Sequence, residues 1–327
     1  MGKVVEKVIN KHIHVFEGNA RVLLEMPHSG LFGFEPSDKI HPSLAPKINS
    51  GSAELRKAIG AGCDASVSEM TGFNSLINDL NLYGIRNDLA RVLCDTNREK
   101  DQVSDWAVKR GSPDDHRHGV IWDSVPIIGA DLNLSDQELK DLLTTKAERI
   151  LKEPLTQRKF SAFMKDAYDP YHAQLQYFHE QIIRRHDFCI HIALHSMPPF
   201  FPKKVCGAYM FGSQKAQRGS FDQQNNTLPD VILIHNNYKA ASRVHVETIK
   251  YVFQSAGLIV EDGKGPFLGD IGVTKKYGDP LKYVEVIGIE HVAHETEPGR
   301  HLGSPEVDLE KARKFQNIYR QAISQLL

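Results

Sequence analysis

Two apolar segments that each end abruptly in His-Ser constrain this chain most. Residues 21–27 precede His28, and residues 188–194 precede His195. Apolar runs of this length are typical of buried strands in a parallel sheet. Open α/β sheets gather their chemistry at the carboxyl ends of their strands, so we expect the two imidazoles to meet at one sheet edge and to form a metal site. Taken singly, a strand-end histidine is more often a hydrogen-bonded structural residue.

Strand and helix patterns alternate along the rest of the chain. Strands are predicted at 3–16, 21–27, 89–94, 188–194, 206–211, 230–235 and 283–290. Helices are predicted from 64, from 135 to 152, from before 168 to 185 with an interruption near Pro170, at 239–256 and at 305–326. Residues 31–52, rich in Gly, Pro and Ser, are predicted to form a long loop. The alternation indicates a three-layer α/β fold, with a mostly parallel or mixed central sheet covered by helices on both faces. We find no internal repeat and no linker, so we expect one domain over residues 1–327.

Charge and cysteine content exclude several function classes. The 327 residues include 40 basic and 41 acidic side chains, so nothing electrostatic favours nucleic acid or an anionic membrane. No window is long and apolar enough for a membrane span, and the amino terminus lacks a signal-peptide core. The four cysteines are too widely spaced for a zinc ribbon or a disulfide scaffold. We therefore expect a cytoplasmic protein with reduced thiols that acts on a small molecule; the pattern does not indicate its oligomeric state.

Six short motifs occur in a fixed order over nearly the whole chain. They are Pro27-His28-Ser29-Gly30, Asp64 at a helix start, Arg91 with Asp95-Thr96-Asn97-Arg98, His195-Ser196-Met197-Pro198, Pro229-Asp230 and Ile289-Glu290. Together they resemble the N-formylglutamate amidohydrolase family. That family is in turn similar to the zinc carboxypeptidases, aspartoacylases and succinylglutamate desuccinylases, which implies a zinc carboxypeptidase-like (phosphorylase/hydrolase-like) fold.

The resemblance implies a catalytic metal site. It makes His28, Asp64 and His195 the ligands of Zn²⁺, or of another divalent metal. Two imidazoles and one carboxylate with an open fourth position are the ligand set of a catalytic zinc. Asp64 also stands where a helix N-cap would, so Glu35 and Glu69 remain alternative carboxylate ligands.

The resemblance also implies how a substrate is held. Asn97 and Arg98 map onto the pair that binds a substrate carboxylate, a task that suits the planar fork of arginine. A surface salt bridge in a turn is the alternative for Arg98. The family's Thr-Arg-His-Tyr-Gly reads Thr-Lys-Lys-Tyr-Gly at 274–278, which makes Lys275 a substrate-binding candidate. The family's Arg-rich segment is replaced at 128–134 by a segment without arginine. These exchanged cations imply a changed grip on the substrate.

Two further residues are assigned to the reaction itself. Glu290 maps onto the late catalytic carboxylate, which acts as general base and returns a proton to the leaving amine. Its alternative role is as a partner for His291 or His294. Arg91 stabilises the oxyanion, or only pairs with a buried carboxylate.

The prediction is a metal-dependent amidohydrolase that acts on linear amide bonds of N-acyl amino acids, with N-formylglutamate as the leading substrate. Within enzymes, the alternatives are a desuccinylase, an aspartoacylase or a carboxypeptidase-like hydrolase. From another class, the chain could be a binding protein that kept the fold and lost turnover.

Overall fold

The computed structural model describes residues 4–30, 44, 48, 59, 64, 67–109, 119–122, 124–126, 147–197, 229–264, 267–269, 272–292 and 307–327. In chain order its strands are β1 (Val5–Ile9), β2 (Ile13–Glu17), β3 (Val22–Met26), β4 (Tyr83–Asn87), β5 (Ser124–Pro126), β6 (Ala147–Arg149), β7 (Cys189–Met197), β8 (Val231–Ile234), β9 (Val260–Asp262) and β10 (Val284–Val292). Eight of them form one sheet in the order β1-β2-β4-β3-β7-β10-β8-β9, and β5 pairs with β6 alone.

The centre of the large sheet is parallel. Strands β4, β3, β7 and β10 run in one direction, whereas β2 pairs antiparallel with β4, and β8 pairs antiparallel with β10. The observed sheet is therefore mixed, with a parallel core. Parallel strands end at the same edge, so the carboxyl ends of β3, β7 and β10 lie together.

Helices cover both faces of this sheet. They are α1 (Val67–Thr71), α2 (Phe73–Leu80), α3 (Gln157–Ala167), α4 (Asp169–His186), α5 (Arg243–Ser255), α6 (Gly272–Tyr277) and α7 (Leu309–Ser324). One apolar cluster joins the sheet to α1, α2, α5 and α7, and another joins its opposite face to α4. This confirms the three-layer α/β architecture. The predicted interruption near Pro170 separates α3 from α4, where Pro170 occupies the first turn and its missing N–H costs no helical hydrogen bond.

Three of the predicted elements are wrong. The single strand predicted at 3–16 is two strands, β1 and β2, which pair antiparallel on either side of a turn. Residues 89–94 form tight turns, in which the amides of Leu93 and Cys94 both donate to the carbonyl of Ala90. The strand lies earlier, at β4. The apolar run predicted burial correctly, because these residues pack in a third apolar cluster. A short apolar run does not distinguish a strand from a buried turn.

The helix predicted from 135 to 152 is also incorrect at its end, where residues 147–149 form β6. Its predicted start at Ser135, the predicted strand at 206–211 and most of the predicted loop at 31–52 lie outside the described residues. Within the part of the chain that is described, no helix has the length and apolar character needed to cross a membrane.

Candidate active site and metal centre

Three predicted ligands meet where β3 and β7 end. Asp64 Oδ2 lies 3.4 Å from His28 Nδ1 and 3.3 Å from His195 Nδ1, and the two imidazole rings are 5.2 Å apart. All three side chains are buried, and one donor atom from each lies within 4.8 Å of the others. No other group of three or more His, Cys, Asp or Glu side chains comes together in this way among the described residues.

His28 supplies the observation that tests whether a metal ion fits. Its Nε2 donates to Asp95 Oδ1 at 2.8 Å, which leaves Nδ1 as the free ring nitrogen. That Nδ1 is completely buried and has no hydrogen-bond partner, although the carboxylate of Asp64 faces it. Two electron-rich atoms at this separation repel one another unless a cation lies between them. The donor set of His28, Asp64 and His195 therefore fits a divalent metal.

The carboxylate of Asp64 has an environment that keeps it ionised. Burial alone would raise its pKa, but the hydrogen bond of His195 and the attraction of His28 outweigh burial and hold the pKa well below its usual range. Of the two alternative ligands, Glu69 is exposed on α1, and Glu35 lies outside the described residues. Asp64 is thus the carboxylate that the structure places between the imidazoles.

Asp95 is the buried hub beneath this cluster. Its Oδ1 accepts from His28 and from the backbone amide of Asn97. Its Oδ2 accepts from Arg91 Nε at 2.9 Å and from Trp122 Nε1 at 3.4 Å. Burial raises the pKa of Asp95, but the attraction of Arg91 and His28 prevails and lowers it well below its usual value. A carboxylate behind a metal-binding imidazole fixes the orientation and tautomer of the ring.

Arg91 is buried in a turn, and not in a strand as its apolar neighbours suggested. Its guanidinium pairs with Asp95 and lies over the ring of Trp122, 5.3 Å from the ring centroid. Burial opposes the charge of Arg91, but the attraction of Asp95 and Asp64 raises its pKa above the usual value. Of the two alternatives for Arg91, pairing with a buried carboxylate is observed, and the attraction between Arg91 and Asp64 shows that the cation lies near the three candidate ligands.

Glu290 lies beside His195. The two residues are direct partners in the parallel pair of β10 and β7, so their side chains leave the sheet on the same face. Glu290 is buried, and its charge acts on both Arg91 and Arg98. The neighbouring His291 leaves on the opposite face, where it packs edge-on against Phe315. The alternation of the strand therefore separates Glu290 from His291, and His294 lies outside the described residues.

The backbone of Arg98 is held by a hydrogen bond from a tyrosine. Arg98 is buried, which is inconsistent with a surface salt bridge, and its backbone carbonyl accepts from the hydroxyl of Tyr168 at 2.8 Å. Lys276 in turn donates to that hydroxyl at 3.0 Å. Burial and repulsion from Arg91 lower the pKa of Arg98, but a guanidinium remains charged at neutral pH. Arg98 is thus a desolvated cation whose backbone is held by Tyr168, at the junction of α3 and α4.

Asn97 has a structural contact that limits its role. Its Oδ1 accepts from the amide of Val273 at 2.8 Å, and Gly272 at φ 65° approaches the same atom so closely that a Cβ there would collide. The side-chain N–H groups of Asn97 are therefore the part of its carboxamide that could contact a substrate. Lys275 lies exposed on α6 and makes no hydrogen bond or ion pair with any described residue. The structure does not bring it into the cluster.

Several residues that support the site could not be predicted from the sequence. Asp95 stood inside a recognised motif, but no partner could be assigned to it without the fold. Tyr168 and Trp122 gave no sequence signal, since an aromatic residue in an apolar context usually indicates core packing. Asp230, which follows Pro229 as the resemblance required, accepts from the amide of Ile259 at 2.8 Å and so joins the start of β8 to β9.

The fold and the site define an α/β protein with a hydrolase-type centre, in which donors for one cation lie beside a carboxylate and two guanidinium groups. The chain belongs to the N-formylglutamate amidohydrolase family, whose sequence model matches residues 20–294. That family consists of hydrolases, so the chain is assigned to the amidohydrolase class of enzymes.

One of the solved structures that match this chain supports the fold. The N-formylglutamate amidohydrolase from Ralstonia eutropha JMP134 superposes with a TM-score of 0.66 at 18% identity, and the match covers 100% of this chain and 97% of that one. The gene product Atu2144 from Agrobacterium tumefaciens matches with a TM-score of 0.49 at 14% identity, over 96% of each chain. A bacteriophage poly-gamma-glutamate hydrolase matches with a TM-score of 0.30 at 9% identity, over 96% of this chain and 88% of that one. No curated protein shows significant sequence similarity.

Proposed function

We propose that this protein hydrolyses the amide bond of an N-acyl amino acid, with N-formylglutamate as the leading substrate, in a zinc-dependent reaction. The observation that carries the proposal is the buried Nδ1 of His28, which faces Asp64 and lies close to His195 without a hydrogen-bond partner. The family assignment makes an amide the expected substrate bond.

His28, Asp64 and His195 would hold the metal ion. A divalent ion at such a site acts as a Lewis acid, which polarises a carbonyl oxygen and makes water a stronger nucleophile near pH 7. Because Asp95 accepts the hydrogen of His28 Nε2, the ring would present its unprotonated Nδ1 to a metal ion held there.

Glu290 is the proposed general base. It would take a proton from the attacking water as the oxygen bonds to the carbonyl carbon, and it would give that proton to the amine nitrogen as the C–N bond breaks. For N-formylglutamate, the products are formate and glutamate. Arg91 lies close enough to Asp64 to influence the charge at the reaction centre, which supports a role in stabilising the oxyanion.

Arg98 is the proposed clamp for the substrate carboxylate. Its burial favours a strong ion pair, because a desolvated guanidinium attracts a carboxylate more strongly than one in water. The N–H groups of Asn97 would add a hydrogen bond. A carboxylate held there would fix the distance between the amino acid and the reacting carbonyl. Lys275, which is exposed, stays a prediction as a substrate contact.

An amine-release assay tests the proposal. Formyl, acetyl and succinyl derivatives of glutamate, aspartate and a neutral amino acid would be compared, and the zinc content of protein purified without added metal would be measured. We expect stoichiometric zinc and the highest kcat/KM for a formyl amino acid with a free carboxylate. Preference for a succinyl or acetyl group would instead identify a desuccinylase or aspartoacylase activity. Zinc binding without any turnover would indicate a binding protein.

A further inference from the structure

A chain of buried ionisable side chains lies between β3, β7 and α4 and takes no part in the proposed chemistry. His191 Nε2 donates to Glu25 Oε2 at 2.9 Å, and the Tyr171 hydroxyl donates to Glu25 Oε1 at 2.8 Å. His191 Nδ1 also shares a hydrogen bond of 3.1 Å with His179 Nε2. We call Glu25, Tyr171, His179 and His191 the Glu25 network. Glu25 and His191 are completely buried.

The network holds a negative charge inside the core. Burial raises the pKa of Glu25, but the attraction and hydrogen bond of His191, with the hydrogen bond of Tyr171, outweigh burial and lower it. Burial raises the pKa of Tyr171 well above its usual value, so its hydroxyl stays a donor. Burial also lowers the pKa of His179, which keeps that imidazole neutral. Glu25 is therefore an ionised carboxylate with a donor on each oxygen.

A buried ionic network is not the only way to stabilise this part of the core. Removing charges from water costs several kcal/mol per ion, and a well-packed apolar pair often stabilises a core as well as a buried ion pair does. Leu23, Cys189 and Phe178 surround the network in an apolar cluster that could have continued through these positions. A hydrogen-bonded pair does what an apolar pair cannot, because it specifies the relative position of its two strands to within a hydrogen-bond length.

The Glu25 network lies close in sequence to the two candidate metal-ligand histidines. Glu25 lies on β3 three residues before His28, and His191 lies on β7 four residues before His195. The register pairs Glu25 with Ala193, so the contact runs diagonally across the two strands that deliver the two imidazole ligands. The charge of Glu25 also interacts with His195.

We propose that Glu25 is a positioning residue for the metal centre: its contacts with His191 and Tyr171 align β3 with β7, and thereby set the separation of the ligand atoms of His28 and His195. This inference rests on the proposed metal site. The inference predicts a change in zinc affinity. If Glu25 served folding stability alone, the zinc affinity of the folded protein would not depend on it.

Zinc titration against a chromophoric chelator tests the inference, with the melting temperature of the metal-free protein measured on the same preparation. Glu25→Gln keeps the size of the side chain and removes the charge. Glu285→Gln is the matched control, because Glu285 is also a buried carboxylate that accepts from a histidine, His245, at 2.8 Å. Glu285 lies at the opposite end of β10 from Glu290. We expect zinc affinity to fall roughly tenfold in Glu25→Gln, as for other residues that support metal ligands, and to stay unchanged in Glu285→Gln.

Tyr171→Phe keeps the test decisive if Glu25→Gln does not fold, because it removes only the hydroxyl that donates to Glu25. We expect a smaller loss of zinc affinity in that variant. Wild-type affinity in folded Glu25→Gln, or in Tyr171→Phe where Glu25→Gln is unfolded, overturns the positioning role, as does an equal loss in Glu285→Gln. Absence of zinc binding by the wild type overturns the metal site itself, and so differs from a failure of the Glu25 inference alone.

Discussion

Glu290 and His195 are direct register partners on adjacent parallel strands, so a buried carboxylate lies next to a candidate ligand imidazole on the same face of the sheet. The backbone hydrogen bonds of β7 and β10 fix this relationship, and no loop conformation is needed to create it. A carboxylate and a ligand on rigid strands keep their separation, which favours a reaction that needs a base at a constant distance from the metal.

His195→Ala should remove the metal without unfolding the protein. Two protein ligands bind zinc much more weakly than three, and in a chain of 327 residues the apolar core carries most of the stability. Metal analysis and circular dichroism on the purified variant check this. His186→Ala is a suitable control, because His186 lies at the end of α4 and contacts the backbone of Asn19. Full zinc occupancy in His195→Ala would reject the ligand assignment.

Asp95→Asn should weaken zinc binding about 10- to 100-fold. The anionic carboxylate of Asp95 accepts the Nε2 hydrogen of His28 and so fixes the tautomer of the ring, whereas a neutral amide does not impose that tautomer. The substitution should also destabilise the fold by roughly 3 to 5 kcal/mol, since Arg91 loses its buried partner. Chelator competition and denaturant unfolding measure the two effects separately. Asp169→Asn is the control, because its ion pair with Lys100 is solvent-exposed. A loss of stability with unchanged zinc affinity would make Asp95 a partner of Arg91 alone.

The meeting of His28 and His195 could be predicted from sequence because each follows a largely apolar run, and the order of strands in an α/β sheet brings such ends together. Asp64 carried no comparable local signal, and Glu290 ends an apolar run that Glu285 interrupts. Asp64 and Glu290 were found through the resemblance of the whole chain to a family, and the structure then placed them beside the two imidazoles.

The contacts that support the site could not be predicted, because each joins distant parts of the chain. Glu25 was visible as a charge inside an apolar strand, but its partner Tyr171 lies 146 residues away. The strand at 83–87 was missed because Gly84 and Arg86 interrupt its apolar pattern, whereas 89–94 looked like a strand and is a buried turn. Periodicity reports which side chains are buried more reliably than it reports backbone conformation.

The metal-free protein should lose stability as the pH falls from 7 to 5. Burial lowers the pKa of His172 to about 3 and that of His179 well below its usual value, whereas both titrate near about 6.5 when unfolded. Over this range the unfolded chain binds protons that the folded protein does not, so the free energy of unfolding falls by about 2 kcal/mol per imidazole. Denaturant unfolding at both pH values measures the change. His172→Gln should show a smaller fall than the wild type, and an equal fall would mean that His172 is protonated in the folded state.

Arg98→Lys should lower activity on substrates with a free carboxylate, because the ammonium keeps the charge but loses the planar fork. On a substrate whose carboxylate is amidated, the wild type and the variant should differ little. The comparison of kcat/KM for the two substrates isolates the clamp from any effect on folding. An equal loss on both would show that Arg98 acts on the reaction centre or only on the structure.

Glu290→Gln distinguishes a catalytic role from a structural one most directly. The amide keeps the size of the side chain and its capacity for hydrogen bonds but cannot accept a proton from water, so kcat should fall about a hundred- to ten-thousand-fold. Zinc should stay bound, because His28, Asp64 and His195 are unchanged, and substrate should still bind through Arg98. The measurements are kcat, zinc content and melting temperature on one preparation, with Glu69→Gln as the exposed control. A variant that turns over normally per folded molecule but melts at a lower temperature would show that the carboxylate serves the packing of β10. A stable, zinc-loaded and inactive variant would support the general base, because it would show that the loss of the carboxylate impairs the reaction and spares both the metal site and the packing.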